Sequence, residues 1–137
     1  MKVNGYEIEP GVNLTGAYLI YTNLSDAKLA GANLTAANLF AAKMQGVDLI
    51  GAVMRAANLY RADLTGAILS GADLTAATLV NVNLSGANLT GANLTGATMV
   101  GATMVGANLQ GAVGKDGPNV AGAILTGATM PDGTIHD

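Results

Sequence analysis

The chain holds few residues able to do covalent chemistry, and they are scattered. It has no cysteine and a single histidine, His136, beside the last residue. A thiol nucleophile, a thiolate metal site and a disulfide framework are therefore missing from this sequence. Four acids recur through its middle, Asp26, Asp48, Asp63 and Asp73. Carboxylates that share acid–base work need a cleft that pushes their pKa values apart. The spacing of these four supplies none, so they read as solubilising charges. His136 reads as a solvated tail residue with no serine and acid placed to make a nucleophile. Glycine is frequent, but no lysine follows it where a phosphate-binding loop requires one. Lys28, Lys43, Arg55 and Arg61 form a sparse basic scatter, too thin to track nucleic acid. The residues thus argue against an enzyme. No catalytic, cofactor-binding or metal-ligating residue is assigned, and no cofactor or metal is expected.

The elements that would position any side chain follow from a strict period. A large aliphatic residue returns at every fifth position from Leu14, Leu19 and Leu24 to Leu109, with Met44, Met54, Met99 and Met104 in the same series. A small residue, usually Ala, stands two places before each. Fixed short periods mark stacked, equal units. An α-helix is a poor solution, because five residues at 100° each send successive leucines in different directions. A continuous strand is no better, since an odd period alternates them between faces. A short extended piece followed by a bend works: Ala and Leu, two apart, point the same way, and the bend resets the phase. Four such units turning about 90° each close a coil of 20 residues, stacked on the next at about 4.8 Å. Leu and Ala then fill the coil and the other three residues of each unit face out. Glycines two places after Leu, such as Gly16, Gly31 and Gly66, suit the bend.

The unit reads Ala-(Asn/Asp)-Leu-x-x, as in Ala32-Asn33-Leu34-Thr35-Ala36 and Ala62-Asp63-Leu64-Thr65-Gly66. It resembles the pentapeptide repeat proteins over about Val12 to Ala112. That resemblance implies an all-β fold, a right-handed quadrilateral β-helix solenoid. The four-sided section and the handedness come from the family; the period alone also admits a three-sided coil of 15 residues.

Twenty consecutive units give five full coils plus a partial sixth. Residues 1–11 read as an irregular N-terminal cap, 12–113 as the pentapeptide-repeat β-helix, 114–119 as a bulge or turn, and 120–137 as a partial sixth coil with a polar tail. The break falls where Gly114 takes an inward slot; the period then resumes one residue late at Val120, Leu125, Met130 and Ile135. Each buried Leu should contribute about 1.5–3 kcal/mol, and a solid column of Leu and Ala leaves no ligand void.

The outer surface is unusually neutral. Charged residues make up 11% of the chain, against about 25% in ordinary domains, and none lies between Leu74 and Gly114. Asn, Ser and Thr interrupt that stretch too often for a membrane span of about 20 apolar residues. No basic segment leads into an apolar one at the start, so a cytoplasmic protein is expected. Taking the residue after each inward Leu, the first of four faces carries Thr15, Thr35, Arg55, Thr75 and Thr95, a hydroxyl ladder that invites an ice-binding reading but is broken by Arg55. The second carries Ile20, Phe40, Tyr60, Val80 and Val100, flanked by Tyr18 and Tyr21. An apolar stripe of this extent suits an interaction site; equally, such residues simply stack on their neighbours in adjacent coils.

The expected function is a non-catalytic structural or protein-interaction module with rigid flat faces, of a kind abundant in cyanobacteria. Its partner is another protein or a second copy, met through the apolar face or through stacked ends, with neither nucleic acid nor membrane involved. The alternative implied by the family is a DNA mimic that binds gyrase, as quinolone-resistance members do. Duplex DNA carries one charge per about 1.7 Å; nine acids against six bases and a neutral second half fit that poorly.

Overall fold

The computed structural model describes residues 1–114 and 119–137. Two kinds of segment alternate through most of it: a three-residue extended piece centred on the residue before each Leu, and a two-residue turn. The extended pieces pair in parallel with partners four pentapeptides away. Asn13 bridges Asn33, Asn33 bridges Val53, Val53 bridges Asp73, and so on along four columns. The chain is therefore an all-β solenoid whose path returns after twenty residues. After Val113 the partner of Thr98 is Asn119 and that of Thr103 is Ile124, so the offset grows to twenty-one. The late return of the period at Val120 is this one extra residue. The turn expected at 114–119 lies, for residues 115–118, outside the described residues.

Local chemistry explains why each quintet bends. In the first full unit the Ala17 N–H donates to the Leu14 carbonyl at 3.0 Å, closing a four-residue turn. Gly16, third in that turn, has φ of 67°. Negative φ at the second turn residue with positive φ at the third is the signature of a type II turn. Of the other amides, Leu14 donates to Asn33 O at 2.7 Å, Gly16 to Thr35 O at 2.8 Å, and Asn33 back to Val12 O at 2.9 Å. That leaves only the amide directly after Leu. The Asn or Asp before Leu takes it through its side chain: Thr15 N–H donates to Asn13 Oδ1 at 3.1 Å. In the interior unit 32–36 every amide is thereby bonded.

The core is what the period requires. Leu19 through Met104 are fully buried at every fifth position, with Ala, Val or Thr beside them. Among the described residues Thr22 alone brings a polar side chain inside, and its hydroxyl donates to Leu19 O at 2.7 Å. At the C-terminal end the column opens: Val120, Ala123 and Leu125 are only half-buried, while Ala128 is covered. There the tail folds back over one side, His136 N–H donating to Ala128 O at 2.8 Å and Met130 N–H to Thr134 O at 2.7 Å.

Two sequence expectations are corrected. The start, read as irregular, contains a hairpin in which β1 (Lys2–Val3) pairs antiparallel with β2 (Tyr6–Glu7). Asn4 and Gly5 join them with φ of 52° and 83°, the two positive values of a type I′ hairpin turn. The Tyr6 hydroxyl accepts the Tyr18 N–H at 3.2 Å and Ile8 is buried, so the hairpin covers the first coil. Second, the residues after each inward Leu do not lie on flat faces. They occupy the turns, and so form the four edges of the solenoid, while the side centres belong to the bridged residues before Leu.

Candidate interaction edge

The apolar stripe therefore runs along an edge. Ile20, Phe40, Tyr60, Val80 and Val100 are each half-buried, one above the other. Phe40 stacks on Tyr60 with centroids 5.5 Å apart and planes at 28°, and Tyr21 meets Phe40 edge-on at 5.5 Å. Such pairs contribute about 0.5–1.5 kcal/mol each beyond burial. The Arg61 guanidinium lies over the Tyr60 ring at 5.4 Å. The first coil, with no coil beneath it, leaves Tyr18 and Tyr21 at 60% and 70% exposure. All seven residues of the stripe thus fall on or beside one edge, and its rings serve as a cross-coil staple. From sequence Arg61 is one of a sparse basic scatter, and its only signal for this edge is its place directly after Tyr60.

The third turn residue is left-handed in every unit from Gly11 to Gly111, and along the fourth edge it is glycine throughout: Gly11, Gly31, Gly51, Gly71, Gly91 and Gly111. Along the stripe it is Tyr21, Ala41, Arg61 and Asn81, with φ between 53° and 61°, and then Gly101; the first edge carries Ala36, Ala56 and Ala76 at this position and the third carries Asp26. A left-handed L-residue costs about 1–2 kcal/mol. Side chains are thus carried here at positions where another edge of the same solenoid carries none.

The acids lie elsewhere and are occupied locally. Asp63 Oδ1 accepts the Thr65 amide at 3.0 Å and hydroxyl at 2.6 Å, and Oδ2 accepts Gln45 Nε2 at 2.8 Å. Burial works to raise its pKa, but the two Thr65 bonds and Gln45 outweigh it and hold the carboxyl below its ordinary value. Asp73 is lowered against the same opposing burial by Thr75, with Arg55 Nη1 adding its charge at 3.2 Å. On the exposed tail, the Thr134 hydroxyl and amide lower Asp132. No two of these carboxyls share a cleft. His136 is exposed and meets only the Asp137 carbonyl, 3.2 Å from Nδ1. Among the described residues no group of His, Asp and Glu could hold a metal ion, and no helix is long and apolar enough to cross a membrane. The Thr ladder is likewise engaged: Thr15, Thr35, Thr75 and Thr95 donate their hydroxyls to the preceding Asn or Asp at 2.5–2.7 Å.

The repeat unit, its turn and its pairing can be compared with known proteins. A family model described as pentapeptide repeats matches residues 10–44, 32–71 and 72–111. The chain belongs to the pentapeptide repeat family. Pentapeptide repeat proteins of known structure share its path. HetL, described as involved in heterocyst differentiation regulation in the cyanobacterium Nostoc, is 38% identical with a TM-score of 0.58 over 90% of this chain. The match spans only 64% of HetL's own length. Rfr23 from the cyanobacterium Cyanothece is 31% identical, with a TM-score of 0.63, over 94% of this chain and 91% of its own. A pentapeptide repeat protein of the Arabidopsis thaliana thylakoid lumen is 31% identical, with a TM-score of 0.60, over 87% of this chain and 72% of its own. Among curated protein sequences none matches.

Proposed function

We propose that this pentapeptide repeat protein is a non-catalytic interaction module. It is a right-handed, four-sided rod of five full coils and a partial sixth that docks a protein partner along the edge running from Tyr18 and Tyr21 to Val100. One coincidence carries the reading. The apolar column shares its edge with Tyr21, Arg61 and Asn81, three of the four left-handed repeat residues larger than alanine, so long side chains are retained there against a backbone cost of about 1 kcal/mol or more apiece. Arg61 and Tyr21, projecting beside a column of apolar groups, suit an aromatic-and-arginine contact. The description of HetL as a regulatory protein is in keeping with a role exercised through contacts. We place the protein in the cytoplasm and assign it no nucleic acid, membrane, metal or cofactor.

The test is a variant with Tyr60→Lys and Val80→Lys, compared with the unaltered chain in host-extract capture and in solution mass. Loss of a captured protein or of a dimer, with the melting temperature kept within a few degrees, supports the edge. Unchanged capture and unchanged mass would sink it. Contact through stacked ends is the competing geometry, favoured by the half-buried Val120 and Leu125. It would respond instead to charges placed at Leu125 or Ile135. Gyrase mimicry gains nothing from the charge layout, because the described acids on the coils stop at Asp73 and that carboxylate is paired with Arg55. A supercoiling assay showing neither inhibition nor quinolone protection would dismiss it.

A further inference from the structure

The chain has twelve asparagines, and only Asn4 precedes a glycine. Most of the others sit before Leu in the repeats, where the following amide is fixed. Leu14 N–H donates to Asn33 O at 2.7 Å and Leu34 N–H to Val53 O at 2.6 Å. The side chains of Asn13 and Asn33 are fixed as well, each accepting the amide two residues on. Asn4 has neither restraint. It is exposed, and the Gly5 amide has no hydrogen-bond partner among the described residues. No heavy atom beyond its chain neighbours lies within 4 Å of where a Gly5 Cβ would stand. One bond holds the Asn4 side chain, from Nδ2 to Tyr18 O at 3.2 Å.

We propose that Asn4–Gly5 is a self-modifying site. The Gly5 nitrogen, losing its proton, attacks Asn4 Cγ. The new N–Cγ bond closes a five-membered imide, the Cγ–Nδ2 bond breaks, and Nδ2 leaves as ammonia carrying the proton. Water then opens the imide at either carbonyl, leaving aspartate or its β-linked isomer at position 4. Water is the sole co-reactant, and nothing is oxidised or reduced.

The product acts on the hairpin. Aspartate loses the donor to Tyr18 O and sets a carboxylate against that carbonyl. The β-linked isomer adds a methylene to a two-residue turn whose register, Val3 opposite Tyr6, depends on its length. Either change loosens the Tyr6 hydroxyl from the Tyr18 amide, and so uncovers the end of the first coil. The inference does not depend on the docking edge.

The full chain held in mildly alkaline buffer tests it by peptide mass and amide exchange. A gain of about one dalton should appear at Asn4 roughly tenfold faster than at any other asparagine, because glycine offers no side chain to hinder the approach. Exchange of the Tyr18 amide should rise about fivefold, as loss of one hydrogen bond allows. Asn4→Asp should show the faster exchange at once. Asn4→Gln, whose ring closure is slower, should hold its mass and its protection. Conversion at Asn4 no faster than elsewhere would overturn the proposal, as would an Asn4→Asp chain with Tyr18 exchange unchanged.

Discussion

At the scale of the residue, the recurrent Asn or Asp before Leu is a backbone device. In the quintets that carry it, its side chain takes the one amide that neither the turn nor the neighbouring coil can reach, and where Thr follows Leu it takes the hydroxyl too. Asn88 is a clean instance, accepting Thr90 N at 3.0 Å and Oγ1 at 2.5 Å. Asn88→Ala should cost about 1 kcal/mol, while Asn88→Asp, which keeps the acceptor, should be close to neutral; denaturant midpoints measure both. Asp63 and Asp73 add a pH dependence. Their folded pKa values lie below the ordinary 3.8, so the folded chain holds fewer protons than the unfolded one near that value. The stability they lend is present above about pH 4 and is lost as pH falls through their folded values. The melting temperature should therefore drop below pH 4, and less steeply in a chain carrying Asp63→Asn and Asp73→Asn. An equally steep drop in that chain would contradict the assignment. None of this bracket was legible in the sequence, because a local polar contact leaves no periodic hydrophobic trace.

At the scale of the element, the unit is a three-residue extended piece and a type II turn, and the turn sets its demands at one backbone position. Gly66 has φ of 68° and open space around a hypothetical Cβ, so Gly66→Ala tests the backbone alone. It should destabilise by about 1 kcal/mol; an unchanged midpoint would show the turn relaxes at no cost. The sequence revealed which residues share a column, because a burial period fixes phase. It does not reveal where within the quintet the bend falls, and so it does not tell a flat face from the edge on which the stripe from Ile20 to Val100 lies. At the start, Asn4–Gly5 is itself a hairpin signal. With strands of only two residues that signal is weaker than the loss of phase between Ile8 and Val12, which points to an irregular cap.

At the scale of the whole molecule, one buried column of Leu, Met, Ala and Val runs from Leu14 to Leu109 and leaves the outward residues half-buried or exposed. The column was fully legible, since no helix or flat strand could bury a leucine at every fifth position. Leu59, wholly buried at mid-length, should not tolerate a charge. Leu59→Lys buries an ammonium with no partner and should abolish cooperative melting of the central coils; a retained transition would place Leu59 outside. The neutral second half and the charged first half share this interior, so they should unfold together.

The central proposition is that four quintets make one circuit. It is tested most directly by spin labels at Ala30→Cys and Gln110→Cys, both on the fourth edge and eighty residues apart. Four circuits at the interstrand spacing put their backbones about 19 Å apart. A backbone separation near 26 Å would instead indicate fifteen residues per circuit, and a broad or much longer distribution would mean that no such stack exists.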